Sequence, residues 1–351
     1  MKRPAFDTQP DLFVDFHSDL ALRDQREVME RPFFSLSKKK RIKPIEYVSP
    51  DKEIFVKVSP VPEYGMATIW DADILIWATS VMRKLKDNKI NDVPRTLRFY
   101  PYDLLKSIHR HTGGDEYMNL RRALSRLQST TITTNIRAGR SNKHRQFSWI
   151  ESFTDDIDPD KRINHGMSIT LSDWLYEGIM ADNGVLAINP LYFTITGGRE
   201  RWLYRVARKH AGGAGPSGFA MSFSTLFAKS GAEGNFRRFK FELLKIAREN
   251  ALPDYALEIL NPNSPDPGLR MVRMDGKTDG SIVLPPQAPA KTPKPSPQIS
   301  DAMRKKIRAA HPGWDLHALQ RDYDAWLESS TIEPGNYEKL FYSFVQRAVT
   351  A

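Results

Sequence analysis

The chain has 351 residues, 40% hydrophobic and 11% aromatic, enough apolar material for more than one core and a length that suggests two or three domains. Lys and Arg number 52 against 42 Asp and Glu, a net charge of +10 with a pI near 9.5, which favours polyanionic partners but dictates no fold. With no cysteine, disulfides, thiolate metal sites and cysteine nucleophiles are excluded, and no apolar run approaches the roughly 20 residues that span a bilayer.

The opening MKRPAFDTQPDLF lacks the apolar segment of a signal peptide, so no membrane association and a cytosolic location are expected. Residues 1–31 are polar and charged and read as a loosely ordered or helical N-terminal arm. Ser37 to Lys43, SKKKRIK, is the densest basic run; it suits either a strip along DNA phosphates or a charged strand edge. Tyr47 to Val58 alternates like one or two short strands. Asp71 to Lys86 predicts a helix with acids in its first turn and cations in its last, burying Ile74, Ile76, Trp77 and Val81. Thr96 to Tyr100 predicts a strand, and Tyr102 to Arg110 a short helix closed by Gly113 and Gly114.

The chain is organised around Asp115 to Phe153. Tyr117, Leu120, Leu124 and Leu127 share one face of a helix; Arg122, Ser125 and Arg126 project from the other, with Arg121 on the flank. The β-branched run Thr130 to Ile136 predicts a strand, and Gln146 to Phe153 its return. Between them lie Arg137, Arg140, Lys143, His144 and Arg145, and no acidic residue occurs from Tyr117 to Ile150. Helix, strand, basic hairpin and strand is the order that ends a winged helix: a helix for the major groove and cations for nearby phosphates.

A second pass of similar order follows. Ser168 to Leu171 predicts a strand, Asp173 to Met180 a helix, and Ala187 to Ile195 a short strand. Glu200 to His210 predicts a helix carrying Arg201, Arg205, Arg208 and Lys209, and Ser222 caps a short helix to Lys229. In Asn235 to Asn250, Phe236, Phe239, Leu243, Ile246 and Ala247 form the core face; Arg238, Lys245 and Arg248 point away, with Arg237 flanking. Tyr255 to Leu260 and Leu269 to Met274 suit a second wing. From Gly197 to Asn250 there are 11 Lys and Arg against 4 acids. Ser281 to Gln298 carries six prolines and reads as an extended linker. Beyond it, Leu316, Leu319, Tyr323, Trp326 and Leu327 stripe one helix, and Tyr337, Leu340, Phe341, Phe344 and Val345 another. With 7 cations and 7 acids from Ser300 onward, this module suits protein contact better than DNA. The expected fold is therefore α+β: an arm (1–31), two tandem winged helices (32–158 and 159–280), a linker (281–298) and a helical module (299–351).

No catalytic, metal or cofactor site is expected. His109 and His111 flank Arg110, whereas nicking enzymes hold a metal with His-hydrophobic-His and add a tyrosine nucleophile motif. There is no GxxxxGK[ST] phosphate loop, and AGGAGPSG reads as a turn. Asp155, Asp156 and Asp158 read as a solvated loop.

Several separated segments, FFSLSKKKRIKPIEY, TIWDADILIWATS, RFYPYDLLKSIHRHTGG, ALSRLQSTTITTNI, ITLSDWLYEGI, RWLYRVARKHAG and FRRFKFELLKIARE, resemble in order the plasmid replication initiator A proteins over about residues 30 to 275. That family is related in architecture to the iteron-binding winged-helix initiators. The resemblance implies binding to repeated double-stranded sites at a plasmid origin, opening of nearby duplex, recruitment of a host initiator and the replicative helicase, and repression of its own promoter as a homodimer. A winged-helix transcriptional regulator is the alternative, and a metal-dependent nicking enzyme a more distant one. From the residues, phosphate contacts are expected from Arg137, Arg140, Lys143 and Arg145. Base or groove contacts are expected from Arg122, Arg126, Arg238, Lys245 and Arg248, with Arg121, Ser125 and Arg237 on the same two surfaces.

Overall fold

The computed structural model describes residues 20–90, 92–138, 144–157, 164–274, 299–310, 316, 319–320, 323 and 337–350. Helix α1 (Ala72–Asp87) lies at its centre, buried without a break from Ala72 to Met82. The sequence predicts one buried face; burial on every side makes α1 a core helix and takes in Asp73, Thr79 and Ser80 as well. Ser80 meets the cost of that burial by donating to the Ile76 carbonyl at 2.7 Å and accepting from the Arg23 amide at 2.7 Å.

The Arg23 contact corrects the expectation for the N-terminal arm. Strand β1 (Arg23–Gln25) packs on α1 and pairs antiparallel with a strand at Val185–Ala187, while Leu22, Val28 and Met29 are core residues. Residues 20–31 look solvent-like in composition because their polar members, Asp24, Gln25 and Glu30, find partners near and far along the chain. Residues 1–19 lie outside the described residues.

Strands β2 (Ile45–Val48) and β3 (Phe55–Ser59) follow; then, after α1, come β4 (Thr96–Phe99), α2 (Pro101–Ser107) and α3 (Gly114–Ser129). Strand β5 (Thr131–Thr134) pairs with β6 (Arg145–Ser148), giving an antiparallel sheet in the order β2-β3-β5-β6. The single return strand expected at Gln146 to Phe153 is split. Trp149 donates its amide to the Leu127 carbonyl at 3.2 Å and its carbonyl accepts from Ser172 at 3.2 Å. Its fully buried ring stacks on Phe34 at 4.7 Å and meets Phe33 and Trp174 edge-on, so the chain turns here. Beyond it, β7 (Ile150–Ile157) joins a different sheet, β4-β8-β7, with β8 at Asn164–Leu171. A domain boundary at 158/159 would therefore cut the β7–β8 hairpin, and the strand expected to open a second unit belongs with β4 and β7.

Helix α4 (Asp173–Met180) starts at Ser172, whose hydroxyl accepts from Leu175, and leads to β9 (Val185–Ala187), the partner of β1. The strand expected at Ala187 to Ile195 is instead a 3-10 turn, Pro190–Thr194, because Asn189 caps the Leu191 amide at 2.9 Å and Pro190 cannot donate to a ladder. Next come α5 (Gly198–His210), β10 (Phe219–Ser222), α6 (Phe223–Ser230), α7 (Phe236–Glu249), β11 (Tyr255–Leu260) and β12 (Gly268–Arg273), whose sheet order is β10-β12-β11. Helices α8 (Asp301–Ala310) and α9 (Tyr337–Thr350) belong to a separate apolar cluster with Ile299, Ile307, Leu316, Leu319, Tyr323, Phe341 and Val345. The linker, residues 281–298, lies outside the described residues, as do residues 275–280, Trp326 and Leu327.

One continuous core runs from Leu22 to Met271, and buried ion pairs cross it. Arg205 of α5 grips Asp24 of β1 with two bonds of 2.6 and 3.0 Å, both side chains buried. Arg201 reaches Asp73 of α1 at 2.6 Å, and Arg110 reaches the other oxygen at 3.1 Å. Arg126 of α3 makes two 2.7 Å bonds to Asp71, which is 2% exposed. Glu30 collects Lys209 (2.7 Å), His210 (2.9 Å) and Lys229 (2.9 Å). Burial pushes the Glu30 carboxyl up, but hydrogen bonds from His210, Lys209 and Lys229 outweigh it and hold the group well below the usual carboxylate range. Arg41, in the SKKKRIK run, is also inward: it donates to the carbonyl of Gly231 at 2.6 Å. Gly231 ends α6 at φ +59, and a Cβ there would lie 2.6 Å from Pro32, so this close approach requires glycine.

These pairs predict how stability divides. Arg126→Ala should lose about 2 kcal/mol or more by leaving Asp71 buried and unpaired, the low end of the range because part of Arg126 reaches solvent, whereas Arg122→Ala on the same helix should change stability by less than about 0.5 kcal/mol; urea unfolding separates the two. Glu30→Gln should cost about 3 kcal/mol at pH 7. Because the Glu30 pKa is depressed in the folded state, its contribution is complete above its ordinary value of 4.5 and is lost as the pH falls below it. Unfolding curves of wild type and Glu30→Gln should therefore converge in acid; a gap that stayed constant from pH 7 to pH 3 would contradict this.

Candidate nucleic-acid interface

Helix α7 is fixed at both ends. The Asn235 side chain accepts from the Arg238 amide at 2.9 Å; at the other end Asn250 adopts the left-handed conformation, φ +46, and its side chain accepts from Leu257 of β11 at 2.8 Å. Phe239, Leu243, Ile246 and Ala247 are buried, which turns Arg237, Arg238, Lys245 and Arg248 into solvent. Arg238 lies beside Glu242 (3.0 Å) and Lys245 beside Glu249 (3.6 Å), exposed pairs one turn apart that exchange easily for another anion. No partner of Arg237 or Arg248 is found among the described residues. Lys240 leaves this face and holds the β11–β12 loop through the carbonyls of Ser264 (2.9 Å) and Pro265 (3.0 Å). The four cations expected on this helix thus share one rigid surface.

The other predicted surface is divided. On α3, Arg121 and Arg122 are exposed; Arg121 pairs with Asp155 of β7, and Arg122 touches Asn119 at 3.4 Å. Ser125 is half-buried beside them. Arg126 is not open to a groove, since its guanidinium is bound to Asp71. Arg137 is also committed: it sits at φ +57, stacks 4.1 Å from the Trp174 ring, donates to the Trp174 carbonyl at 2.7 Å and lies 2.8 Å from Glu27. Burial lowers its pKa, with Glu27 and Glu177 opposing. Its role here is to root the β5–β6 hairpin on α4. Arg145 pairs through both terminal nitrogens with Glu177, part of it in water. Arg140 and Lys143, between β5 and β6 in the sequence, lie outside the described residues.

The basic helix α5 is the clearest departure from the pattern. Arg201, Arg205 and Lys209 face Asp73, Asp24 and Glu30, and Arg199 reaches Glu242. Of the 11 cations between Gly197 and Asn250, Arg201, Arg205, Lys209 and Lys229 serve buried carboxylates and Arg199 the half-buried Glu242, which leaves α7 as the main outward display of this segment. Phe241, exposed among those α7 cations, was missed by reasoning from charge alone. Its signal is legible, because it falls outside the helix's apolar spacing. His109 ends α2 at φ +57 with its ring 5.9 Å from Phe193, and among the described residues no group of three His, Asp or Glu side chains could hold a metal.

Comparison with known proteins agrees with this chain's layout. The solved structure of domains 2 and 3 of RctB shares the fold at a TM-score of 0.51 and 13% identity, covering 74% of this chain and 99% of that one. A protein of Wigglesworthia glossinidia brevipalpis named "Putative replication protein" is 33% identical over 238 residues, 67% of this chain and 84% of its own. The model of replication initiator protein A matches residues 23–257, from the first residue of β1 into β11 and across every buried pair described above. The chain belongs to the replication initiator protein A family.

Proposed function

We propose that this initiator binds double-stranded sites at a plasmid origin, inserting α7 into a major groove and laying its hairpins along the flanking phosphates. The observation that carries the reading is the α7 surface: four outward cations on a helix clamped by Asn235 and Asn250, beside the β11–β12 hairpin. The order α5, β10, α6, α7, β11, β12 with sheet order β10-β12-β11 supports a winged helix here. The first unit runs α1, β4, α2, α3, β5, β6 in a similar order, but β4 pairs with β8 rather than with the hairpin. It suits a supporting part, with Arg121, Arg122, Arg140, Lys143 and Arg145 on phosphates and a second copy of the chain nearby. Repeated sites, duplex opening and recruitment of a host initiator and helicase extend the family's role in the bacterial cytosol; no catalytic step is needed. Among the described residues no helix is long and apolar enough to cross a membrane.

The deciding experiment places this gene and its flanking DNA on a vector without an origin. Sustained replication supports the initiator reading, and its failure with intact binding favours a regulator. With about 6 to 10 phosphates contacted, affinity for duplex from that flanking DNA should fall on the order of a thousandfold between 50 and 200 mM salt. Arg238→Ala and Lys245→Ala should reduce the ratio of specific to scrambled-duplex affinity, while Arg140→Ala with Lys143→Ala should weaken both alike and flatten the salt slope. A flat salt response in the wild type would contradict the proposal.

A further inference from the structure

Phe241 is 70% exposed, the most exposed large hydrophobic side chain among the described residues. It contributes nothing to the core stripe of α7, and an aromatic is a poorer helix former than the Lys, Arg or Glu that usually occupies such a position. Its surroundings are specific. Arg237 lies one turn before it, Lys245 one turn after, and Arg238 and Arg248 on the same side of the helix. With its side chains a helix is about 10–12 Å across, which matches the roughly 12 Å width of the major groove. A helix seated there aims its central side chain at the groove floor while the cations reach the phosphate rims.

The floor offers one apolar group, the C5-methyl of thymine, and an aromatic edge is a suitable contact for it. We infer that Phe241 reads a thymine methyl in the major groove, which makes it a specificity-determining residue of the interface. The inference rests on the proposed duplex binding and adds a base to it. A protein partner fits the surface less well, because interface cores are depleted in the lysine and in the density of like charge found here.

The test uses the full-length chain and the duplex it enriches most from a random-sequence library. Each thymine in that duplex is replaced singly by deoxyuridine, which removes only the methyl group. Wild type should lose about fourfold in affinity at one thymine of each bound half-site, the worth of one buried methyl. Phe241→Ala should lose about as much on the unmodified duplex and should be indifferent to uridine at that position, so the two changes do not add. Phe241 is exposed, so the variant should unfold at the same urea concentration as wild type. Wild type indifferent to uridine everywhere, or a variant that keeps the wild-type uridine response, overturns the inference while leaving duplex binding intact. A variant whose sedimentation changes while its uridine response persists assigns the residue to contact between copies and also overturns it. Failure of the wild type to enrich any sequence defeats duplex recognition itself.

Discussion

The carboxylates of Asp24, Asp71, Asp73 and Glu30 are buried, and the rest of the molecule is arranged to answer them. Each is met by basic side chains from elements distant in sequence: Arg205, Arg126, Arg201 with Arg110, and the trio Lys209, His210 and Lys229. Such pairs add little over an apolar contact of the same shape, but each penalises any other seating, because a displaced partner leaves a charge buried alone. Several of them along β1, α1 and α5 hold the two halves of the chain in a single register.

The same constraint determines where the positive charge goes. A net charge of +10 over 351 residues suggests a broadly basic surface. In fact α5, which reads as one of the most cationic helices, spends its arginines inward, and Arg41 of the SKKKRIK run is tied to Gly231. What remains for a polyanion lies on α7, on Arg121 and Arg122 of α3, and on Lys38, Lys39, Lys40 and Lys43 of the SKKKRIK run, all exposed. Cations held in fixed positions on a capped helix suit discrimination, whereas a strip of exposed lysines would hold any duplex alike.

Local pattern made the helices legible. The apolar spacing of α1, α3 and α7 and the hydroxyl cap of α6 lie within a few residues of one another, so the residues themselves report the element. The paired strands β5 and β6 and the outward face of α7 were legible for the same reason. Long-range pairing was not. Nothing near Arg126 marks Asp71 as its partner, 55 residues away, and nothing near Asp24 points to Arg205, 181 residues away. Charge on an amphipathic helix looks the same whether it meets water or a buried carboxylate. The break at Trp149 was equally hidden, because an apolar alternation continues through it while the indole holds the chain to α3 and α4.

The pairing of β1 with β9, sealed by Asp24 and Arg205, also bears on how the protein is made. The ribosome delivers Asp24 long before Arg205. At about 5–20 residues per second the intervening chain takes on the order of ten seconds or more to emerge, and α5 must clear the exit tunnel before the core can close. Until then the N-terminal half carries Asp24 without its arginine and a core helix, α1, with one flank uncovered. A nascent or prematurely terminated chain therefore lacks the frame that seats α7, and an initiator truncated before α5 is no weaker version of the whole but an unfinished one.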